Sequence, residues 1–339
     1  MNKNIFSSVV LLAFFLGNTY ISGITAGISF VVSIVFYGLF FYVISFLWNT
    51  LRRKKTSFYS KENFLSFIQY FLHRISVFFL IIGWIVGSFS YYQNEVSPAM
   101  MPTYTISNGE KTVIFQAMSH IASQNFYDSV KKNIFTAKSD GYTYYFEWVK
   151  PGSKENEAKF NKALGVEFDK NLYENMSKMY GLVNQNNADF LWLVNDKDKN
   201  VDISLDEVVK KYESLKKEKN ISREYQSPLP ASQLLTEELS KLSEKELTVL
   251  RYINKAMINV IMKSDWVQQW MLNNFSNKEL FAIILDGRNE VLANEILTSD
   301  DKKIITTYGL LHFDWVLKLL QQKDIKWQTT KIDYTPVTK

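Results

Sequence analysis

From Ile5 to Leu51 the chain carries no charged residue over 47 positions. As one helix that stretch would run roughly 70 Å, against a bilayer hydrocarbon core of roughly 30 Å. It therefore has to turn, and the small and polar residues from Ile21 to Gly27 predict where. Two spans result, near 5–20 and 28–48. Ile75 to Tyr92 is again uncharged and ends in Tyr91-Tyr92, aromatic residues suited to a membrane–water interface. The pattern predicts a membrane module over 1–94 with a third span at 75–92. The first span is as short as a signal-peptide core, but no small-residue cleavage site follows it.

Beyond residue 95 the pattern changes to short apolar runs alternating with amphipathic segments. Residues 95–110 read as a linker around Ser97-Pro98 and Pro102. TVIFQAM (112–118) is a strand with His120 just behind it. Ser123 can cap a helix whose apolar residues Phe126, Val130 and Ile134 recur every fourth position. Ser139-Asp140-Gly141 turns into a second strand, YTYYFEWVK (142–150), which carries Glu147 near its end. In such strand–helix–strand units ligands bind at the carboxyl ends of the strands, where His120 and Glu147 both fall.

A helical insert is expected over about 159–273. It contains a strand-like run at Phe190–Val194, a polar turn at Asn195–Asn200 and a loop at Asn220–Pro230. A Ser204…Glu207 capping box opens one of its helices. Leu235, Leu239, Leu242, Ile253, Met257 and Ile261 form a helix-spaced stripe that reads as core. Further on, Glu279–Leu285 reads as a buried strand, Asp286-Gly287 as a turn, and Arg288-Asn289 as the opening of a helix. Lys303–Tyr308 is a strand, Asp314 can cap a helix with Val316, Leu319 and Leu320 inward, and the tail after Trp327 suits an edge strand. The expected fold is α/β, a mixed sheet built from two strand–helix repeats with the helical insert, in a domain covering 111–330. Runs 112–118, 142–149, 280–285 and 303–308 are expected in one sheet, with helices 123–136 and 314–322 packed on it.

Charge divides the chain in the same place. Of 39 basic and 34 acidic residues, seven and one lie in 1–94, leaving 32 and 33 for the remainder. That near-neutral remainder gives no basic footprint for nucleic acid. Six of the seven basic residues (Arg52, Arg53, Lys54, Lys55, Lys61, Arg74) fall between the second and third spans. The positive-inside bias puts that loop and the N-terminus in the cytoplasm and everything after residue 95 outside it. No cysteine is present, which excludes disulfides, thiolate metal sites and a cysteine nucleophile.

There are three histidines, and two share a context. IFQAMSH ends at His120 and TTYGLLH ends at His312, each an apolar strand followed by a His and then an amphipathic helix. Glu147 stands among Tyr144, Tyr145, Phe146, Trp148 and Val149, where a carboxylate is costly unless paired. Arg288 at a helix start would oppose the helix dipole and so calls for an anionic partner.

In order and context these residues resemble the TraB/TIKI family, GumN-like proteins related to the erythromycin esterase and ChaN-like superfamily. The resemblance covers roughly 110–325 and not the membrane spans. It departs from the family at Ala117, where a Gly is usual; Gly309 keeps the second motif. It implies a metal-dependent protease with His120, Glu147 and His312 holding a manganese, cobalt or zinc ion, and Glu147, Arg288 and Asn289 acting in catalysis on a peptide or protein. Two neutral His and a carboxylate suit such an ion with open positions for water. The alternatives are a non-catalytic receptor for a peptide or haem-like ligand, and a metal-free esterase with His120 or His312 as general base.

Overall fold

The computed structural model describes residues 3–52, 61–167, 170–219, 228–268, 270 and 277–339. Arg53, Lys54 and Lys55 of the cationic loop, most of the 220–230 loop and the end of the 232–273 helical stretch lie outside the described residues. The chain forms two compact units, Met1–Tyr91 with Ser240–Ile253, and Tyr92–Leu239 with Asn254–Lys339.

The first unit holds α1 (Lys3–Ser22), α2 (Ile24–Leu51) and α3 (Lys61–Tyr91). The turn between α1 and α2 is a single residue, Gly23, whose φ of 87° is open to glycine at no steric cost. All three helices are long and apolar enough to cross a membrane, with mean hydropathy of 1.7, 2.4 and 1.8. α2 exposes Val32, Phe36, Tyr37, Leu39, Phe40 and Leu47 around its circumference. A helix apolar all round needs an apolar solvent, because water would leave that surface unburied. Where helices meet, a small residue stands: a side chain at Gly38 would press on Phe71 of α3.

In the second unit a six-stranded sheet runs in the order β6-β4-β7-β2-β1-β8. Its strands are β1 (Met100–Ser107), β2 (Thr112–Met118), β4 (Thr143–Phe146), β6 (Lys199–Asn200), β7 (Lys303–Gly309) and β8 (Gln328–Pro336). β6, β4, β7 and β2 are mutually parallel, while β1 runs antiparallel to both β2 and β8. A separate two-stranded piece pairs β3 (Ile121–Ala122) with β5 (Val183–Asn184).

α4 (Gln124–Ser139) forms as its pattern dictates. Ser123 Oγ accepts from Phe126 N at 3.1 Å, and Phe126, Tyr127, Val130, Ile134 and Ala137 are buried. α5 (Lys154–Leu164), α6 (Lys170–Tyr180), α7 (Ala188–Leu191), α8 (Leu205–Lys219), α9 (Ala231–Ser240) and α10 (Glu244–Lys263) make up the insert. The capping box at α8 is reciprocal: Glu207 N donates to Ser204 Oγ at 3.2 Å, and Ser204 N donates to Glu207 Oε2 at 2.8 Å. α12 (Phe313–Lys323) follows α11 (Lys278–Thr298) and packs Val316 and Leu320 into the core.

Three expectations are corrected. The run 280–285 is not a strand; it lies inside α11, which is capped by Asn277, whose side chain accepts from Leu280 N at 3.2 Å. Leu280, Arg288, Leu292 and Ile296 then line its buried face at helical spacing, and Gly287 and Arg288 sit within the helix rather than at a turn and a start. Phe190 belongs to the short helix α7, not to a strand. Finally, 100–107 is no linker: β1 pairs with β2 on one side and β8 on the other.

Candidate functional site

The parallel half of the sheet builds the site. Each of its four strands delivers one ionisable residue just past its last position. Asp202 follows β6, Glu147 follows β4, His312 follows β7 and His120 follows β2. Strand order sets these residues along one rim, at the carboxyl ends where parallel sheets bind ligands.

α11 brings the countercharge. Arg288 spreads its planar fork on Asp202, with Nε on Oδ1 at 2.9 Å and an Nη on Oδ2 at 2.8 Å. The same Nη also pairs with Glu147 Oε1. Gly287 lets the helix come this close, because a Cβ there would stand 3.0 Å from Ile203 Cδ1, beside Asp202. Glu147 Oε2 accepts from Gly309 N at 2.9 Å, so both carboxylate oxygens are engaged.

Burial and charge compete at each group. Burial pushes Glu147 up, but Arg288 foremost, with the Gly309 amide, outweighs it and holds the carboxyl below its ordinary value. Burial likewise raises Asp202; there Arg288 does not fully compensate, and the Glu147 charge adds to the rise. His312 is 4% exposed, and burial draws its pKa down to about 4, with Arg288 adding to the drop and Glu147 opposing it. The ring is therefore uncharged at neutral pH, leaving Arg288 as the cation that keeps Glu147 ionised.

His312 Nδ1 lies 2.7 Å from Asn289 Oδ1. A carbonyl oxygen only accepts, so Nδ1 carries the proton and Nε2 keeps its lone pair. Asn289 Nδ2 and Tyr308 Oη are buried and find no hydrogen-bond partner among the described residues. His120 is exposed on its own loop, whose backbone is tied to the insert by Gln185 N donating to His120 O at 2.8 Å. Its ring lies 4.9 Å from that of Tyr173 on α6. Burial raises the Tyr173 phenol to about 12, with the Glu147 charge contributing, so it stays protonated at neutral pH.

The structure brings Glu147, Arg288, Asn289 and His312 together through the contacts above, while His120 stands on an exposed loop past the neighbouring strand. It adds Asp202 and Tyr173, which sequence reasoning missed. Arg288 does have the anionic partner its setting called for, but that partner is the pair Asp202 and Glu147 rather than a substrate. The donor set as arranged does not fit a divalent ion. Glu147 has given both oxygens to Arg288 and Gly309, and no group of three metal-ligating side chains stands together among the described residues.

A small cavity of about 20 Å³ opens beside Glu147, lined by Phe146, Trp148, Gln185, Asn187, Leu191 and Thr307. It has room for about one water. The larger groove of about 430 Å³ between α11 and α12 (Val291, Leu297, Leu319, Lys323) contains no group of the rim and carries no chemistry of its own.

No family model, no curated protein and no solved structure matches this chain.

Proposed function

We propose that this chain is a membrane-anchored hydrolase acting on a carboxylic ester or related acyl bond outside the cytoplasm, with His312 as the base that activates water. The observation that carries the reading is a buried His312 held on Asn289 through Nδ1, within the field of a Glu147 that Arg288 keeps ionised. His312 Nε2 takes a proton from water as the oxygen attacks the carbonyl carbon. Glu147 favours the imidazolium that forms, since its charge raises the His312 pKa. The unpaired Asn289 Nδ2 is the available donor for the developing oxyanion. Collapse of the tetrahedral adduct then expels the alcohol, which recovers the proton from His312. Arg288 acts through Glu147 and Asp202 and is not free to hold the oxyanion itself.

The resemblance to the TraB/TIKI family and its two-repeat architecture agrees with this placement of the histidines, and the metal-dependent peptidase it implies is the competing form. That form requires Glu147 to exchange Arg288 for the ion. The extracytoplasmic orientation rests on the basic residues between Arg52 and Arg74.

The full chain in lipid nanodiscs should hydrolyse members of a p-nitrophenyl ester panel with chelator present, and His312→Gln should remove that turnover. Calorimetry with manganese, cobalt and zinc should give no site. Metal binding with chelator-sensitive peptide cleavage would establish the peptidase form instead. Ligand capture without any turnover would establish a receptor.

A further inference from the structure

β8 closes the sheet on one side, and no other strand among the described residues pairs with its outer edge. Its residues from Gln328 to Tyr334 are exposed on both faces, with Ile332 at 44% and Tyr334 at 59%. A long open edge is a template for another strand unless charges, proline or a bulge block it. β8 has a bulge at one end, where the register against β1 passes from Lys331 to Thr329 and leaves Thr330 unmatched, and Pro336 at the other. The segment from Thr330 to Tyr334 lies between those two features.

The charges in that segment are arranged to complement themselves. Lys331 and Asp333 lie two residues apart, on one face of the strand, and already pair at 2.6 Å. In an antiparallel pairing of two copies centred on Ile332, Lys331 faces the partner's Asp333, and the two-fold repeats that contact. Ile332 meets its own copy on the opposite face, and Thr330 meets the partner's Tyr334. A register centred on Lys331 or Asp333 sets like charges directly opposite, as does any in-register parallel pairing, and both are unfavourable. The register centred on Ile332 is the one that sets Lys331 opposite Asp333 in both directions, which favours a second copy of this chain as the occupant.

We infer that β8 is a homodimerisation edge, joining two copies antiparallel through residues 330–334 with Ile332 on the two-fold axis. The partner is a second copy of this chain, anchored in the same membrane, which raises its effective concentration at the edge.

The absence of cysteine makes the test direct. Full-length Ile332→Cys is placed in liposomes and oxidised with copper phenanthroline. Residues opposed on the axis lie within about 5.5 Å, inside disulfide reach, so a covalent dimer should form. Gln328→Cys should not cross-link, since its two copies would be eight positions apart, roughly 26 Å. Adding Lys331→Glu to Ile332→Cys should cut dimer yield by roughly fivefold or more, and Lys331→Glu with Asp333→Lys should restore it. No dimer from Ile332→Cys, equal yield from Gln328→Cys, or a yield indifferent to Lys331→Glu would each overturn the proposal.

Discussion

The ends of β2 and β7 invite comparison, because the sequence writes them alike and the fold treats them differently. The strands are parallel neighbours, with Met118 opposite Gly309. Past β7 the chain makes a tight 3-10 turn over Leu310–His312, tucking the ring against Asn289 of α11 where it is 4% exposed. Past β2 it runs into β3 instead, and His120 stays exposed with its ring beside that of Tyr173. The helix that follows each strand is similar; what packs over the loop is not. A shared motif sets where a side chain starts, and the neighbouring element sets how deeply it is buried.

The largest effect should come from removing the charge between the two regions. Arg288→Ala strands Glu147 and Asp202 in a buried site, and breaking a buried pair this way costs about 3–5 kcal/mol. Arg288→Lys keeps the charge but loses the fork on Asp202, and should recover only part of that. Chemical denaturation of both variants in nanodiscs checks the order.

The next effect separates the histidines by pH. His312 has a folded value of about 4 against 6.5 for an ordinary histidine, so the unfolded chain binds its proton first. The stability held by keeping it neutral is complete above pH 6.5 and is lost as pH falls toward 4, on the order of 3 kcal/mol. Asp202, raised rather than lowered, works in the opposite sense and offsets part of the slope. His312→Phe should flatten the dependence in that window. His120→Ala, a change at an exposed residue, should leave stability within about 0.5 kcal/mol. Equal slopes in the two variants would erase the distinction between the strand ends.

The smallest effect should be Gly287→Ala. The added methyl meets the flexible tip of Ile203 at 3.0 Å, while alanine gains about 0.5–1 kcal/mol over glycine within a helix. The net change should fall within about 1 kcal/mol, with any loss appearing in the Arg288–Asp202 contact rather than in global stability.

How much of this was legible follows from what each signal depends on. The membrane helices, β2, β4, β7, the cap at Ser123 and the box at Ser204–Glu207 are local patterns, and the fold keeps them. The run LFAIIL at 280–285 reads equally as strand or helix; the Asn277 cap and the spacing to Leu292 and Ile296 decide for helix, but only over a longer window. β1 was hidden by Pro102, since proline argues against an inner strand, and only its pairing with Tyr334 reveals the strand. Glu147 in its aromatic run announced a partner. Asp202 did not, although a lone Asp between Val201 and Ile203, ahead of a capping box, was a weak sign of a buried acid. Tyr173 gave no sign, because nothing local says which helix residue meets a loop more than fifty positions earlier.

His312 is held neutral in a buried centre with Arg288, Glu147 and Asn289. With three histidines in the chain, nitrogen-15 labelling of histidine and an NMR pH titration in nanodiscs tests it directly. One ring should stay neutral and Nδ1-protonated down to about pH 4, with its resonance absent in His312→Phe. If every histidine ring is charged by pH 5.5, or the neutral one survives in His312→Phe, the claim fails.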